Sequence, residues 1–156
     1  MIIKPIINGE EIEFDITPGE ILLDVLRAHG YTEVKEGCKQ GECGACVVLL
    51  DGKPVNSCLT LAAKTDGCQI TTVAGLGSVT QPHPIQRIFV EEGAVQCGFC
   101  TPGILLSTKA LLDRNPSPDE EEIKRALDGH LCRCTGYVKI LKAVKRAAHE
   151  LRGGSE

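Results

Sequence analysis

The 156-residue chain is 42% apolar and 24% charged, a balance typical of globular proteins and not of disordered ones. Its net charge of −4 gives no sign of a nucleic-acid surface, and no apolar run approaches the length of about 18 residues that a membrane span needs. The nine cysteines are an odd number and the first residues show no secretory signal. We therefore expect a cytoplasmic protein whose thiols bind metal instead of forming disulfides.

The first half, residues 1–74, is predicted to be rich in β-structure. MIIKPIING and EEIEFDI form a predicted strand pair around the dipeptide Asn-Gly, which favours hairpin turns. A short helix follows, with Thr17 as its predicted N-cap and Gly30 at its end. After a cysteine-rich loop, VVLLDGKPV supplies two more strands around Asp-Gly, and CQITTV supplies the last one. This order of elements predicts a β-grasp arrangement.

The second half, residues 75–156, is predicted to be helical. Apolar residues recur at helical spacing in four segments, at 84–92, 103–113, 119–127 and 137–151. Ser117 is the predicted N-cap of the third segment, with Pro118 at the first helical position and Glu120 completing a capping box. The turn-rich stretch AGLGSVTQPHP is the predicted connector between the halves. We therefore expect an α+β chain of two domains.

Four cysteines of the first half have the spacing C-x4-C-x2-C-x11-C. They are Cys38, Cys43, Cys46 and Cys58. This is the spacing of plant-type ferredoxins, in which a 2Fe–2S cluster takes two thiolates on each iron. Three glycines of the same loop are expected to adopt positive φ and direct N–H groups towards the cluster sulfurs; they are Gly37, Gly41 and Gly44. Zinc is the alternative, although zinc ligands usually come as two close pairs.

Four more cysteines follow in the second half with the spacing C-x2-C-x31-C-x-C. They are Cys97, Cys100, Cys132 and Cys134. Two close pairs can bind a second 2Fe–2S cluster, but the same pattern also builds zinc sites. Both pairs precede predicted helices, whose N-termini stabilise thiolates. The remaining thiol, Cys68, is expected to be a small buried residue, and His130 is expected at the surface.

These motifs together resemble the small iron–sulfur subunit of the molybdenum hydroxylases, the xanthine dehydrogenase and xanthine oxidase family, in its bacterial three-subunit form. The resemblance spans LLDVLR, GCKQGECGACVV, QCGFCTPG, NPSPDEEEIKRAL and LCRCTGYVKI, and departs from the usual pattern at Val47, where Thr is common. It implies an N-terminal β-grasp ferredoxin domain and a C-terminal four-helix domain. Each domain would carry one 2Fe–2S cluster, held by the eight cysteines of the two sets.

The resemblance also implies an electron-transfer role within an oxidoreductase. Electrons from a molybdopterin centre in a large partner subunit would pass through the C-terminal cluster and then the N-terminal cluster. They would then reach FAD in a medium partner subunit or another acceptor, within a dimer of heterotrimers. Substrate chemistry would take place in a partner chain, so no catalytic residue is expected here. Gln96 would contact the pterin, and Cys134 would both ligate iron and lie against the pterin.

Two other functions compete with this one, a free ferredoxin-like electron shuttle and a zinc-stabilised interaction module. A shuttle usually carries a strong uniform charge that steers it to its partners. Residues 1–74 have 11 acidic and 6 basic side chains, whereas residues 75–156 have 10 acidic and 11 basic ones. The balanced second half favours a surface that is covered in a complex.

Overall fold

The computed structural model describes residues 1–153 and places the strands in the first half of the chain. They form a two-stranded and a five-stranded sheet. The strands are β1 (Ile2–Ile3), β2 (Ile6–Ile7), β3 (Glu10–Glu11), β4 (Phe14–Asp15), β5 (Val47–Leu50), β6 (Lys53–Asn56) and β7 (Gln69–Thr71). β1 pairs antiparallel with β4, and the larger sheet has the order β3-β2-β7-β5-β6. Within it, β2 and β7 run parallel and the other neighbours run antiparallel.

Two tight turns set the register of this sheet, and both lie at the predicted dipeptides. Asn8 and Gly9 connect β2 to β3 with φ values of 52° and 91°. Asp51 and Gly52 connect β5 to β6 with φ values of 48° and 76°. Positive φ at both central residues is the geometry that matches the right-handed twist of the flanking strands.

The helix of the first half, α1, spans Leu22–Ala28 and begins later than predicted. Thr17 is not its N-cap, because the Thr17 carbonyl accepts the N–H of Glu20 at 3.0 Å and closes a turn instead. Ile21 is still extended, with φ −84° and ψ 145°, and forms a β-bridge with Leu61. This long-range pairing delays the start of the helix.

Four helices lie in the second half, at the segments where periodicity predicts them. They are α2 (Pro84–Glu91), α3 (Thr101–Arg114), α4 (Glu120–Leu127) and α5 (Val138–Leu151). The prediction of Ser117 as the N-cap of α4 is wrong by two residues. Asp119 is the N-cap: its carboxylate accepts the N–H of Glu122 at 2.8 Å, and the Glu122 carboxylate accepts the N–H of Asp119 at 2.9 Å. Within residues 1–153, no helix combines the length and apolar character needed to cross a bilayer.

Each half has its own apolar core, and a small third cluster joins the two. Phe14 belongs to the first core and Phe89 to the second, where Ile, Leu, Val and Ala make up most of the remainder. In the third cluster, Val47 and Leu49 of β5 pack against Leu106 of α3. The halves therefore contact each other directly, and β5 begins one residue after the first cysteine loop.

Candidate iron–sulfur sites

The four thiols of the first set come together between the loop before β5 and the 3-10 turn after β6. Cys38 and Cys43 are half-buried, whereas Cys46 and Cys58 are buried. The N–H of Cys38 donates to Cys43 Sγ at 3.4 Å. Burial raises the pKa of Cys58 to about 11, and the neighbouring thiol of Cys46 raises it further. The four cysteines that are spaced along 21 positions of the sequence are thus neighbours in the fold.

Backbone donors surround the outer part of this set. The N–H groups of Gln40 and Glu42 donate to Cys38 Sγ at 3.3 and 3.4 Å. These donors, first Gln40 and then the N–H groups of Cys43 and Glu42, lower the pKa of Cys38 to about 6. A loop that stabilises negative charge on sulfur suits a thiolate-ligated cluster.

Two of the three loop glycines adopt the positive φ expected of them. Gly41 has φ 78° and Gly44 has φ 68°. Gly37 does not, and it is required for a different reason: a Cβ atom there would lie 2.7 Å from Cys43 Sγ. Gly37 therefore supplies space and not an unusual backbone conformation.

The four thiols of the second set lie directly before two helices. Cys97 and Cys100 precede α3, and Cys132 and Cys134 precede α5. Cys100 is buried, whereas Cys97 and Cys134 are exposed. Burial raises the pKa of Cys100 to about 12, with a further contribution from Cys132, and an interaction with Cys97 raises the pKa of Cys134. Each thiol of one pair thus faces a thiol of the other.

Two further side chains hold the second pair in place. Thr135 Oγ1 donates to Cys132 Sγ at 3.0 Å, and the N–H of Cys132 donates to Tyr137 Oη at 2.7 Å. Burial raises the pKa of Cys132, but the Thr135 hydroxyl and neighbouring N–H groups outweigh it and lower that pKa to about 7. Tyr137 has φ 68°, a left-handed conformation immediately before α5. Sequence reasoning missed Tyr137, because its role depends on this local fold of the chain.

Both sets have the chemistry that a binuclear cluster requires. Each combines four thiols with hydrogen-bond donors to sulfur, and in a 2Fe–2S cluster each iron takes two thiolates. Within residues 1–153, no three side chains of His, Cys, Asp or Glu are grouped so as to hold a single metal ion. The four thiols of each set, with their donors to sulfur, fit the ligands of a binuclear cluster.

Three other residues singled out from the sequence lie outside these sets. Gln96 is exposed and precedes Cys97. Cys68 is half-buried before β7, so the prediction that it is buried is wrong. The prediction that His130 lies at the surface is also wrong: its side chain is 6% exposed, and its Nε2 lies 2.7 Å from Ser107 Oγ. Burial lowers the pKa of His130, although the Gly44 peptide opposes this.

The two ligand loops touch each other through the main chain. The N–H of Leu131 donates to the carbonyl of Cys43 at 3.0 Å. Leu131 directly precedes Cys132 of the second set. The hydrogen bond therefore links Cys43 of the first set to the residue next to Cys132. This contact gives the two sites a direct connection.

Comparison with known proteins assigns both halves to iron–sulfur domains. Residues 6–72 match the 2Fe-2S iron-sulfur cluster binding domain, and residues 72–145 match a second 2Fe-2S binding domain. The nicotinate dehydrogenase small FeS subunit of Eubacterium barkeri is 51% identical over 142 residues, which are 90% of each chain. The xanthine dehydrogenase iron-sulfur-binding subunit of Escherichia coli O157:H7 is 45% identical over 143 residues, which are 88% of each chain.

A solved structure extends the similarity to three dimensions. The crystal structure of the aldehyde oxidoreductase from Desulfovibrio desulfuricans ATCC 27774 matches with a TM-score of 0.94 at 42% sequence identity. The match covers 97% of this chain but 17% of that one, so the similarity concerns one part of a larger protein. At this identity and coverage, the chain belongs to the small 2Fe–2S subunits of the molybdenum hydroxylase, or xanthine dehydrogenase, family.

Proposed function

We propose that this chain relays electrons from a molybdopterin centre in a large partner subunit to FAD in a medium partner subunit or to another acceptor. When bound, each 2Fe–2S cluster supplies one reversible single-electron carrier. The observation that carries the proposal is that two complete four-thiol sets lie in loops joined by the Cys43–Leu131 hydrogen bond. Because electron tunnelling through protein weakens steeply with distance, joined ligand loops are what a relay requires.

We further propose that residues 1–74 form a β-grasp ferredoxin domain and residues 75–156 a four-helix domain. The five-stranded sheet with α1 beside it supports the first assignment, and α2 to α5 support the second. In this arrangement Cys38, Cys43, Cys46 and Cys58 bind the N-terminal cluster. The remaining four ligands, Cys97, Cys100, Cys132 and Cys134, bind the C-terminal cluster.

The surface around the second set is the side that we assign to the large subunit. Gln96 is exposed, and its amide makes no hydrogen bond to any residue of the described chain, so it is available to pair with a pterin edge. Three apolar side chains within four residues of this set in the sequence are also exposed: Phe99 at 47%, Leu131 at 61% and Val138 at 60%. Exposed apolar side chains beside open thiols suit a surface that a partner covers. Cys134 lies in the same exposed region and would contact the pterin while ligating iron.

The proposed assembly is a heterotrimer, paired into a dimer of heterotrimers in the cytoplasm. The relatives named as small or iron-sulfur-binding subunits support a separate chain for this role. The aldehyde oxidoreductase chain, of which this chain matches 17%, supports a neighbouring partner at close range. The substrate site then belongs to the large subunit, and this chain contributes electron transfer alone.

Replacing Gln96 by Ala tests the assignment of this surface. The purified complex of Gln96→Ala should keep about four irons and about four acid-labile sulfides per small chain, since all eight thiols remain. It should lose molybdenum relative to iron, because a buried pterin group without its partner costs about 1–3 kcal/mol. Elemental analysis of the complex measures both ratios.

Gln81→Ala is the matched control, because Gln81 is an exposed glutamine in the connector, 16 positions before Cys97 in the sequence. It should leave the molybdenum-to-iron ratio of the complex unchanged. An unchanged ratio in Gln96→Ala would contradict the pterin contact. Stoichiometric zinc without labile sulfide, in protein purified without air, would contradict the electron-transfer function itself.

A further inference from the structure

His130 lies where the two halves of the chain meet. Its ring is 6% exposed, and its Nε2 pairs with Ser107 Oγ of α3 at 2.7 Å. The other edge of the ring faces the first cysteine loop, so that a Cβ atom at Gly44 would lie 2.4 Å from His130 Nδ1. One side chain of the second half therefore rests directly on the main chain of the first.

Gly103 completes this contact from α3. A Cβ atom there would lie 2.2 Å from the Gly44 carbonyl oxygen and 3.3 Å from His130 Cε1. We call these four residues the joint: Gly44, Gly103, Ser107 and His130. The space between the halves is filled so closely that neither glycine of the joint has room for a methyl group.

The joint lies among the candidate cluster ligands. Gly44 directly follows Cys43, and Gly103 lies three residues after Cys100. His130 lies two residues before Cys132 and is followed by Leu131, whose N–H reaches the Cys43 carbonyl. The imidazole ring therefore belongs to the residue directly before the one that makes the hydrogen bond between the two loops.

Stability alone gives no reason for a histidine at this position. His130 Nδ1 is buried against the Gly44 peptide, but it makes no hydrogen bond of good geometry among residues 1–153. A buried polar atom with poor hydrogen bonding adds little to the stability of the folded state, and an apolar side chain of similar size would avoid its desolvation cost. The Ser107 hydrogen bond does, however, fix the orientation of the ring, which an apolar side chain would not provide.

We propose that His130 is a positioning residue that holds the two ligand loops at a fixed separation and thereby sets the electronic coupling between the two clusters. The proposal rests on the proposed function, because it requires both clusters in one chain. His130 is not one of the eight residues assigned to iron, and in this proposal it acts through the Leu131–Cys43 hydrogen bond. With the side chain in place the Leu131–Cys43 hydrogen bond is kept. Without the side chain the bond breaks and the two loops move apart.

The test uses the full chain loaded with both clusters and reduced with dithionite. Electron paramagnetic resonance then measures the magnetic interaction between the two reduced clusters, which depends on their separation and connection. In His130→Ala the interaction should be lost while iron and sulfide content stays complete. Gly103→Ala should have the same effect, because its added methyl group must push the Gly44 carbonyl away.

Three further variants separate positioning from simple stability. Ser107→Ala removes only the hydroxyl that orients the ring and should weaken the interaction, even if His130→Ala fails to fold. His130→Gln can present an amide to Ser107 and should restore it. His149→Ala, an exposed histidine of α5, should leave it unchanged.

A wild-type magnetic interaction in both Gly103→Ala and Ser107→Ala would overturn the inference, whatever their thermal stability. A wild-type chain that assembles a single cluster or none would instead contradict the proposed function, and the inference with it. The two failures are therefore distinguished by the metal content of the wild-type chain.

Discussion

Gly37 shows how little space surrounds the first thiol set. Its backbone is ordinary, yet a Cβ atom would lie 2.7 Å from Cys43 Sγ and 3.5 Å from the Cβ of Ala45. Protein interiors are packed too densely to absorb such an overlap without movement. The overlapping atom is the sulfur of Cys43, which we propose as an iron ligand, so the movement would occur at that sulfur.

Gly37→Ala should therefore displace Cys43 and prevent the first cluster from assembling. The second set is untouched, so iron and sulfide content should fall to about half, with one cluster remaining. Metal analysis and the visible spectrum measure this loss. Gly19→Ala is the control, since a Cβ atom there meets nothing within 4 Å. Full cluster content in Gly37→Ala would show that the loop can move without losing its ligand.

The spacing of the cysteines predicts two sets of four, and the fold brings the members of each set together. That they bind iron stays a prediction. His130 has no such signal: its partner Ser107 is 23 residues away and Gly44 lies in the other half of the chain. Its burial follows from the packing of the two halves, which no local pattern encodes.

At the scale of elements, the start of α4 shows how side chains compete to cap a helix. Asp119 and Glu122 exchange hydrogen bonds with each other's backbone N–H groups. Ser117 lies outside the helix and accepts a hydrogen bond from Arg152 Nη1 at 2.7 Å. Asp119, and not Ser117, therefore supplies the side-chain hydrogen bond to the free N–H groups at the start of α4.

Asp119→Ala should lower the free energy of unfolding by about 1 kcal/mol, as is typical of a lost N-cap. For a chain of this size, the thermal midpoint of the cluster-loaded protein should fall by about 2–4 °C. Ser117→Ala serves as the comparison and should change stability by less than about 0.5 kcal/mol, since its contact is exposed. A larger loss of stability in Ser117→Ala than in Asp119→Ala would show that Ser117 is the N-cap, as the sequence predicts.

Both misplaced helix starts have identifiable physical causes. Residues 117–122 contain two overlapping capping patterns, so local sequence leaves a choice that only the fold makes. The start of α1 depends on the bridge between Ile21 and Leu61, which are far apart in the chain. Periodicity predicts that these helices exist, but their first residues are decided by tertiary contacts.

At the scale of the whole molecule, the contact between β5 and α3 determines how independent the halves are. Val47 and Leu49 are 7% and 5% exposed, and both pack against Leu106. Val47 is also the position at which the chain departs from the usual motif, and there it fills an apolar contact between halves. The first half has a complete thiol set but not a fully covered sheet.

A fragment of residues 1–79 should therefore bind one cluster with a plant-ferredoxin-like spectrum and yet be less stable than the full chain. It exposes Val47 and Leu49, and burial of each apolar side chain stabilises a fold by about 1.5–3 kcal/mol. Reconstitution followed by metal analysis and thermal melting measures both properties. Leu49→Thr in the fragment should reduce aggregation while leaving all four thiols intact. A fragment that stays colourless and unfolded would show that the halves form one cooperative unit and that the proposed boundary is wrong.

The two thiol sets differ in exposure, so they should differ in sensitivity to oxygen before the subunit assembles with its partners. Cys97 and Cys134 face solvent, whereas every thiol of the first set is at least half-buried. Dissolved oxygen reaches an open sulfur ligand first, so in air the second half of an unassembled chain would lose its iron sooner. A partner that covers this surface would protect the second thiol set from oxidation. In unassembled subunits, oxidation would therefore begin in the helical half.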